Sequence, residues 1–432
     1  MISFAGRLSM LAGMKKLFLA ILVAGSATQT HAAPLVPAND TLAICGDSIT
    51  AQHQYSAFIE DYLLMCAPPT DNLNVTQFGW GGEQAPGFLT RLDTDVFPFK
   101  PTIATTCYGM NDGHYTALTD DTATTYRTAQ TAIIDTMKKN GVTRIVLGSP
   151  KCVDTTTFHN PNATADVYNH TLGALADIDK DIAAKEGVVY ADVFGATMDA
   201  MTKAKAAKGA NYIVCGGDGV HPDGNGHLVM AYAFLKAMGY DGDISTITVD
   251  LGANQATATG GTKVVSCTKG TVNLESTRYP FCFTGHTTDT DQGNTAGILP
   301  FVPFNQDLNR YVLVVKGVKT KAKITWGGEM HEYSGDDLAK GVNLVEQFMS
   351  NPFASQFFKV NQAVQMQQAF EETMMQGCNH NLANYKATFP GAVDQLTQWQ
   401  STMMTTRAAL YKQVQALVTP VDHAIKIESE DP

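Results

Sequence analysis

Between residues 38 and 240 the chain alternates short apolar runs with longer stretches of helical spacing, and this alternation restricts the fold more than any other feature. Thr41–Cys45 (TLAIC), Leu73–Phe78, Thr102–Cys107, Thr143–Leu147 (TRIVL) and Val188–Val193 read as strands. Tyr55–Met65, Ala123–Lys139, Thr164–Lys185, Ala196–Ala207 and Gly226–Met238 read as helices. Asn140-Gly141 and Gly187 supply C-terminal stop signals for two of them. Strands that alternate with helices of this length predict an α/β fold, a parallel sheet covered on both faces. In such sheets ligands bind outside the carboxyl ends of the strands.

The N-terminus predicts export. Met14-Lys15-Lys16 precedes an apolar run from Leu17 to Ala27, and small residues follow at Ala32-Ala33. A charged start, a short apolar stretch and small residues at the cut are the parts of a signal peptide. Residues 1–32 are assigned to it, with 1–13 read as an upstream start or vector-derived sequence. The protein is then secreted or periplasmic. Removing Arg7, Lys15 and Lys16, with no acid lost, takes the formal net charge from −11 to about −14. Such an acidic chain is not expected to seek nucleic acid or anionic lipid. No later stretch is long and apolar enough to predict a transmembrane segment.

Eight cysteines in an exported chain permit disulfides. Cys267 and Cys282 flank a short polar segment in a β-like region and are expected to pair. Cys45 and Cys107 lie in strand-like runs and read as small buried hydrophobes. Cys152 and Cys215 are placed to approach the same end of the sheet. No Cys/His spacing suggests zinc, and neither metal nor cofactor is expected.

Four short blocks punctuate the alternating region: Gly46-Asp47-Ser48-Ile49-Thr50, Gly79-Trp80-Gly81-Gly82-Glu83, Gly109-Met110-Asn111-Asp112 and Asp218-Gly219-Val220-His221-Pro222. The first three follow strands, so they converge on one sheet edge. Ser48 supplies a hydroxyl that becomes a nucleophile only beside a base. His221 is the candidate base, and Asp218, three residues earlier, can turn back to its Nδ1. Asp223 is the fallback acid and Asp112 a more distant one. His227, in the following helix, reads as structural. The N–H groups of Ser48 and Gly82 and the Asn111 amide would form an oxyanion hole, with Gly81 or Gly79 serving if the turn differs. Taken singly, Ser48 reads as a helix cap and the glycine blocks as turns. Together the blocks supply what ester hydrolysis requires.

In these blocks the chain resembles the SGNH/GDSL hydrolase family, with Ile49 where the name-giving leucine stands. The resemblance covers about residues 38–240. It maps the catalytic serine, acid and base to Ser48, Asp218 and His221, and the oxyanion glycine and asparagine to Gly82 and Asn111. It implies a flavodoxin-like α/β/α sandwich and hydrolysis of carboxylic esters or thioesters without metal. The expected division is a hydrolase domain over 33–240 and an extension over 241–432.

Beyond residue 240 the texture changes. Ile244–Leu251, Lys263–Cys267, Tyr311–Val315 and Lys323–Trp326 read as strands in a Thr- and Gly-rich region. Leu338–Met349 reads as a helix, and Phe357–Asn379 and Ala392–Val418 as a helical hairpin broken at Pro390-Gly391. Pro303–Asn309 and Gly341–Leu344 resemble stretches of C-terminal extensions found on some secreted bacterial members of the family. An apolar stripe of Phe358, Val360, Val364, Met366 and Phe370, with Leu410, Val414 and Leu417 on the hairpin partner, must be covered by the chain itself, by a second copy in a homodimer or by a wall surface on which it docks. The expected substrate is an ester, with O-acetyl groups on carbohydrate favoured by an exported acidic chain. Trp80, His114 and Tyr115 stand beside the oxyanion blocks and are candidates to line a sugar-facing site. A lipase or lysophospholipase is the nearest alternative, and a non-catalytic wall-binding module the alternative of a different class.

Overall fold

The computed structural model describes residues 34–36, 39–68 and 73–430, so the expected signal peptide lies outside the described residues. Five parallel strands build the central sheet: β1 (Thr41–Gly46), β2 (Asn74–Gly79), β3 (Ile103–Cys107), β4 (Arg144–Gly148) and β5 (Val189–Ala191), in the order β2-β1-β3-β4-β5. This is the flavodoxin-like order, and it reverses direction beside β1, which places the ligand crevice at the β1/β3 carboxyl ends. Strands β1 to β4 are buried on both faces, whereas Val189 and Tyr190 of the edge strand β5 are half-buried. Leu42 and Ile44 point to one core, Ala43 and Cys45 to the other.

Among the described residues seven α-helices accompany the sheet: α1 (Ser48–Ala51), α2 (Tyr55–Asp61), α3 (Ala85–Arg91), α4 (Asp120–Lys139), α5 (Ala165–Glu186), α6 (Val193–Lys208) and α7 (Gly224–Ala237). Side-chain caps at Asp47, Thr119, Thr164 and Asp192 start α1, α4, α5 and α6. The predicted sandwich is therefore present, with boundaries close to those read from the sequence.

After α7 come two further sheets. The first contains β6 (Asp243–Asp250) and β7 (Gln255–Ala258). The second contains β8 (Thr262–Thr268) and β9 (Thr271–Ser276), and both are completed by β10 (Arg310–Lys316), β11 (Lys321–Trp326), β12 (Glu329–Ser334), β13 (Val342–Asn343) and β14 (Val421–Ser429), in the orders β13-β10-β6-β7 and β12-β11-β14-β9-β8. The last strand enters the middle of its sheet, between β9 and β11. The helices of this part are α8 (Phe304–Leu308), α9 (Gly335–Lys340), α10 (Ala354–Met374), α11 (Leu382–Thr388) and α12 (Val393–Leu417).

One hydrophobic core runs across position 240. It joins Phe58 and Tyr62 of the sandwich region to Phe281, Leu308 and Phe357, and the described residues form one compact unit. Phe58 and Phe281 meet edge to face at 5.8 Å, and the Tyr62 hydroxyl donates to the Leu308 carbonyl at 2.9 Å.

Three expectations are corrected here. Leu338–Met349 is not a helix: α9 stops at Lys340, Gly341 has a φ of 103°, and the chain turns into β13. Cys267 and Cys282 are both free thiols. Cys267 lies on the β8/β9 hairpin opposite Val272, whereas Cys282 is beyond β9 in the core, with its Sγ 3.5 Å from Asn351 Oδ1. The apolar stripe of α10 is also different from the one expected, because Met366 is 69% exposed and the buried face carries Gln367, Gln368 and Glu371. Cys152 and Cys215 do approach each other, as thiols 3.5 Å apart.

Candidate active site

The first block sits where β1 becomes α1. The Asp47 carboxylate accepts from the Ile49 N–H at 2.9 Å and so starts the helix at Ser48. Burial pushes the Asp47 carboxyl up to about 7. The second block is tied beneath the first by the Trp80 N–H donating to the Gly46 carbonyl at 3.0 Å. Gly79 must lack a side chain, since a Cβ there would lie 2.3 Å from the Ala51 nitrogen.

The fourth block brings its histidine to the serine. Ser48 Oγ and His221 Nε2 are 2.8 Å apart, and His221 Nδ1 lies 2.7 Å from Asp218 Oδ2. An ionised carboxylate only accepts, so Nδ1 carries the proton and Nε2 is left to accept the Ser48 hydroxyl. Asp218 Oδ1 also accepts the N–H groups of Val220 and His221, each at 2.8 Å. Burial raises the Asp218 pKa, but these hydrogen bonds outweigh it and hold the carboxyl below its ordinary range. Gly216 begins this loop at φ 90°, where a Cβ would collide with the His221 carbonyl oxygen.

The third block carries the amide. Asn111 Nδ2 donates to the Glu83 carbonyl at 3.0 Å, which uses one of its two protons. Its Oδ1 accepts from the Tyr115 hydroxyl at 3.1 Å. Asp112 joins the blocks by accepting from the Ala85 and Gly109 N–H groups, at 2.8 and 2.9 Å. Burial lifts the Asp112 carboxyl to about 6. Gly82 is exposed, with a φ of 73° and open space around its Cα.

Of the other candidates, Asp223 makes way for Asp218 as the partner of His221 and occupies the N-cap position of α7. His227 is fully buried: its Nδ1 accepts the Tyr55 N–H and its Nε2 meets Gln52 Oε1 at 3.2 Å. Burial depresses it to about 3, so it stays neutral. Tyr115 stacks on Tyr168 at 5.0 Å and positions Asn111, while His114 Nδ1 meets Gln84 Nε2 at 3.2 Å. Trp80 packs against the His380 ring at 4.7 Å.

Sequence reading missed the supports of this site. Arg91 grips Glu83 with two hydrogen bonds of 2.6 Å and donates to the Phe78 carbonyl at 2.7 Å. The Tyr108 hydroxyl completes the Glu83 carboxylate at 2.8 Å. A single arginine eight residues after a glutamate carries no signal of burial. His380 and Glu372 come from beyond residue 350, and Glu372 Oε2 lies 3.1 Å from His53 Nε2, just past α1.

Residues 44–229 match the GDSL-like lipase/acylhydrolase family. The chain carries the domain of an ester hydrolase of that family. The GDSL-like domain ends within α7, and the structural likeness extends further. BT4096, a gut microbial diltiazem-metabolizing enzyme, superposes with a TM-score of 0.72 at 21% identity over 92% of this chain and 99% of its own, so the two share a fold that includes the extension. Axe2, an acetylxylan esterase from Geobacillus stearothermophilus, aligns over 48% of this chain and 96% of its own at 20% identity and a TM-score of 0.40. LAE5, an alpha/beta hydrolase from the metagenome of Lake Arreo in Spain, aligns over 48% and 98% at 22% identity and a TM-score of 0.40. The chain matches no curated protein.

Among the described residues no group of His, Cys, Asp and Glu is placed to hold a metal ion, and no helix is long and apolar enough to cross a membrane.

Proposed function

We propose that this protein is an exported serine esterase that removes O-acetyl groups from carbohydrate. Ser48 Oγ attacks the ester carbonyl as His221 Nε2 takes its proton, and the same nitrogen returns that proton to the leaving alcohol. Asp218 keeps the imidazole in the required tautomer and stabilises the imidazolium. The developing oxyanion is met by the N–H groups of Ser48 and Gly82 and by the second Nδ2 proton of Asn111. Water, activated by the same histidine, releases the acyl group.

The observation that carries this reading is the unbroken line from Ser48 Oγ through His221 to Asp218, at 2.8 and 2.7 Å. A carbohydrate alcohol is favoured by the cleft beside Gly82, which holds about 370 Å³ and offers the Trp80 ring and the polar groups of Gln84 and Thr90 but no aliphatic side chain. A homodimer through the C-terminal helices has less in its favour, because Val360 and Val364 of α10 and Val414 of α12 are covered within the chain.

The test is Ser48→Ala beside the parent, assayed on p-nitrophenyl esters of increasing chain length and on acetylated polysaccharides. The parent is expected to prefer acetate and to release it from polysaccharide, and the variant to be inactive with a native circular dichroism spectrum. Long-chain preference would replace the deacetylase by a lipase. A parent without any turnover would favour the wall-binding module, and near-parental turnover by the variant would overturn the mechanism.

A further inference from the structure

The cleft beside Gly82 is closed on one side by a residue that does not belong to the GDSL-like domain. It is lined by Trp80, Gly81 to Gln84, Thr90, Arg91 and, from the extension, His380. The His380 ring lies 4.7 Å from the Trp80 ring at an interplanar angle of 50°. Its Nδ1 is 3.2 Å from Oδ2 of Asp95, a fully buried carboxylate that also lies 3.4 Å from Arg91 Nη1. The Arg91 guanidinium is 5.2 Å from the indole centroid. Two neighbours therefore hold the indole, and a buried carboxylate holds both neighbours.

The chemistry of this lining selects a class of ligand. Arg91 is the one guanidinium or ammonium group in it, and it is paired with both Glu83 and Asp95, so no unpaired positive charge remains to draw an anion. The aliphatic walls that an acyl chain would require are missing from the lining. What remains is a pair of fixed aromatic rings beside amide, hydroxyl and backbone polar groups. A neutral polyhydroxyl ring fits that set, because it stacks its C–H face on an aromatic and turns its hydroxyls to polar groups.

We infer that this cleft is a sugar subsite on the alcohol side of the scissile ester, and that His380 makes the extension a determinant of substrate specificity. The inference rests on the esterase reading above. His380 does not touch the reacting atoms. It acts by walling the cleft and by fixing the Trp80 ring.

The test compares kcat and KM for the full-length parent, His380→Ala and His380→Phe on p-nitrophenyl acetate and on partially O-acetylated xylo-, manno- and gluco-oligosaccharides. For the oligosaccharide turned over best, His380→Ala is expected to lower kcat/KM about five- to tenfold, mostly through KM, the size of one aromatic contact. His380→Phe should recover most of that loss, and p-nitrophenyl acetate should change less than about twofold, since it does not occupy the subsite. An equal fall on both substrates would make His380 merely structural and overturn the inference, as would unchanged kinetics. Failure of the parent to deacetylate any oligosaccharide while still cleaving p-nitrophenyl acetate would overturn the subsite and leave the esterase standing. Turnover by Ser48→Ala would instead remove the reading beneath it.

Discussion

Gln52 fastens the histidine loop to the serine helix: its Nε2 donates to the Pro222 carbonyl at 3.1 Å. Its Oε1 meets Nε2 of the neutral His227, so one amide spans the residue after His221 and the helix that follows. Gln52→Ala is expected to lower kcat about three- to tenfold with little change in KM, the size of one lost hydrogen bond that aligns the base. Steady-state kinetics on p-nitrophenyl acetate check this, and a change confined to KM would show that Gln52 contacts substrate instead.

Asn111→Ala should lower kcat by about 10²–10³, because its amide meets the oxyanion more strongly than the ground-state carbonyl. The same rates measured for Tyr115→Phe should fall far less, since the lost hydroxyl only orients the Asn111 side chain. A rise in KM alone for Asn111→Ala would move this residue from the oxyanion hole to substrate binding.

Activity should fall at acid pH along one limb of unit slope in log kcat/KM. A protonated His221 has no lone pair for the Ser48 hydroxyl. Asp218 adds no second limb near it, because its hydrogen bonds keep it ionised below the ordinary carboxylate range. A limb of slope two would show a second proton entering the site, with Asp47 and Asp112, both raised by burial, as the first groups to replace by amides.

Arg91→Met should cost about 3–5 kcal/mol, since it leaves the buried Glu83 and Asp95 carboxylates without their cation. Urea titration measures it. The Glu83 carbonyl is the acceptor that orients Asn111, so the variant should also lose kcat before it loses its fold. A stability change below about 1 kcal/mol would mean that the pair is solvated rather than buried.

A chain ending near Tyr240 should not fold cooperatively. It would expose Phe58 and Tyr62, which the extension covers, and leave the buried Glu60 without Gln367 and Gln368. Calorimetry of the truncated chain is expected to show no cooperative transition. A soluble, fully active fragment would make the extension an independent module.

The sandwich was legible because its strands are short runs, mainly apolar in Thr41–Gly46 and Arg144–Gly148 and alternating in Asn74–Gly79, separated by stretches of helical spacing. Ser48, Asp218 and His221 were legible for a related reason: the sheet delivers separate blocks to one edge, and the order of the blocks survives in the chain. The extension was harder. In β14, His423, Ile425 and Ile427 alternate inward as any half-buried strand does, but its partners β9 and β11 lie far back in sequence, and nothing local names them. The buried face of α10 was misread because hydrophobicity was sought where the structure uses hydrogen bonds. Arg91 and Arg407 were missed for the same reason, since a buried cation looks in sequence like a surface one.

That polar face gives α10 a single seat. Gln368 Nε2 donates to Glu60 and its Oε1 accepts from Ser56, Glu371 accepts from the Gln77 N–H, and Arg407 of α12 closes on Glu371 at 2.7 Å. A greasy seam would tolerate sliding by one turn, exchanging one methyl contact for another. A keyed joint of this kind would not, because each misplaced group would be stranded without water or partner. His380 stands six residues past the end of that helix, so its place beside Trp80 is inherited from the joint, and the width of the cleft is set by a lock some distance from it.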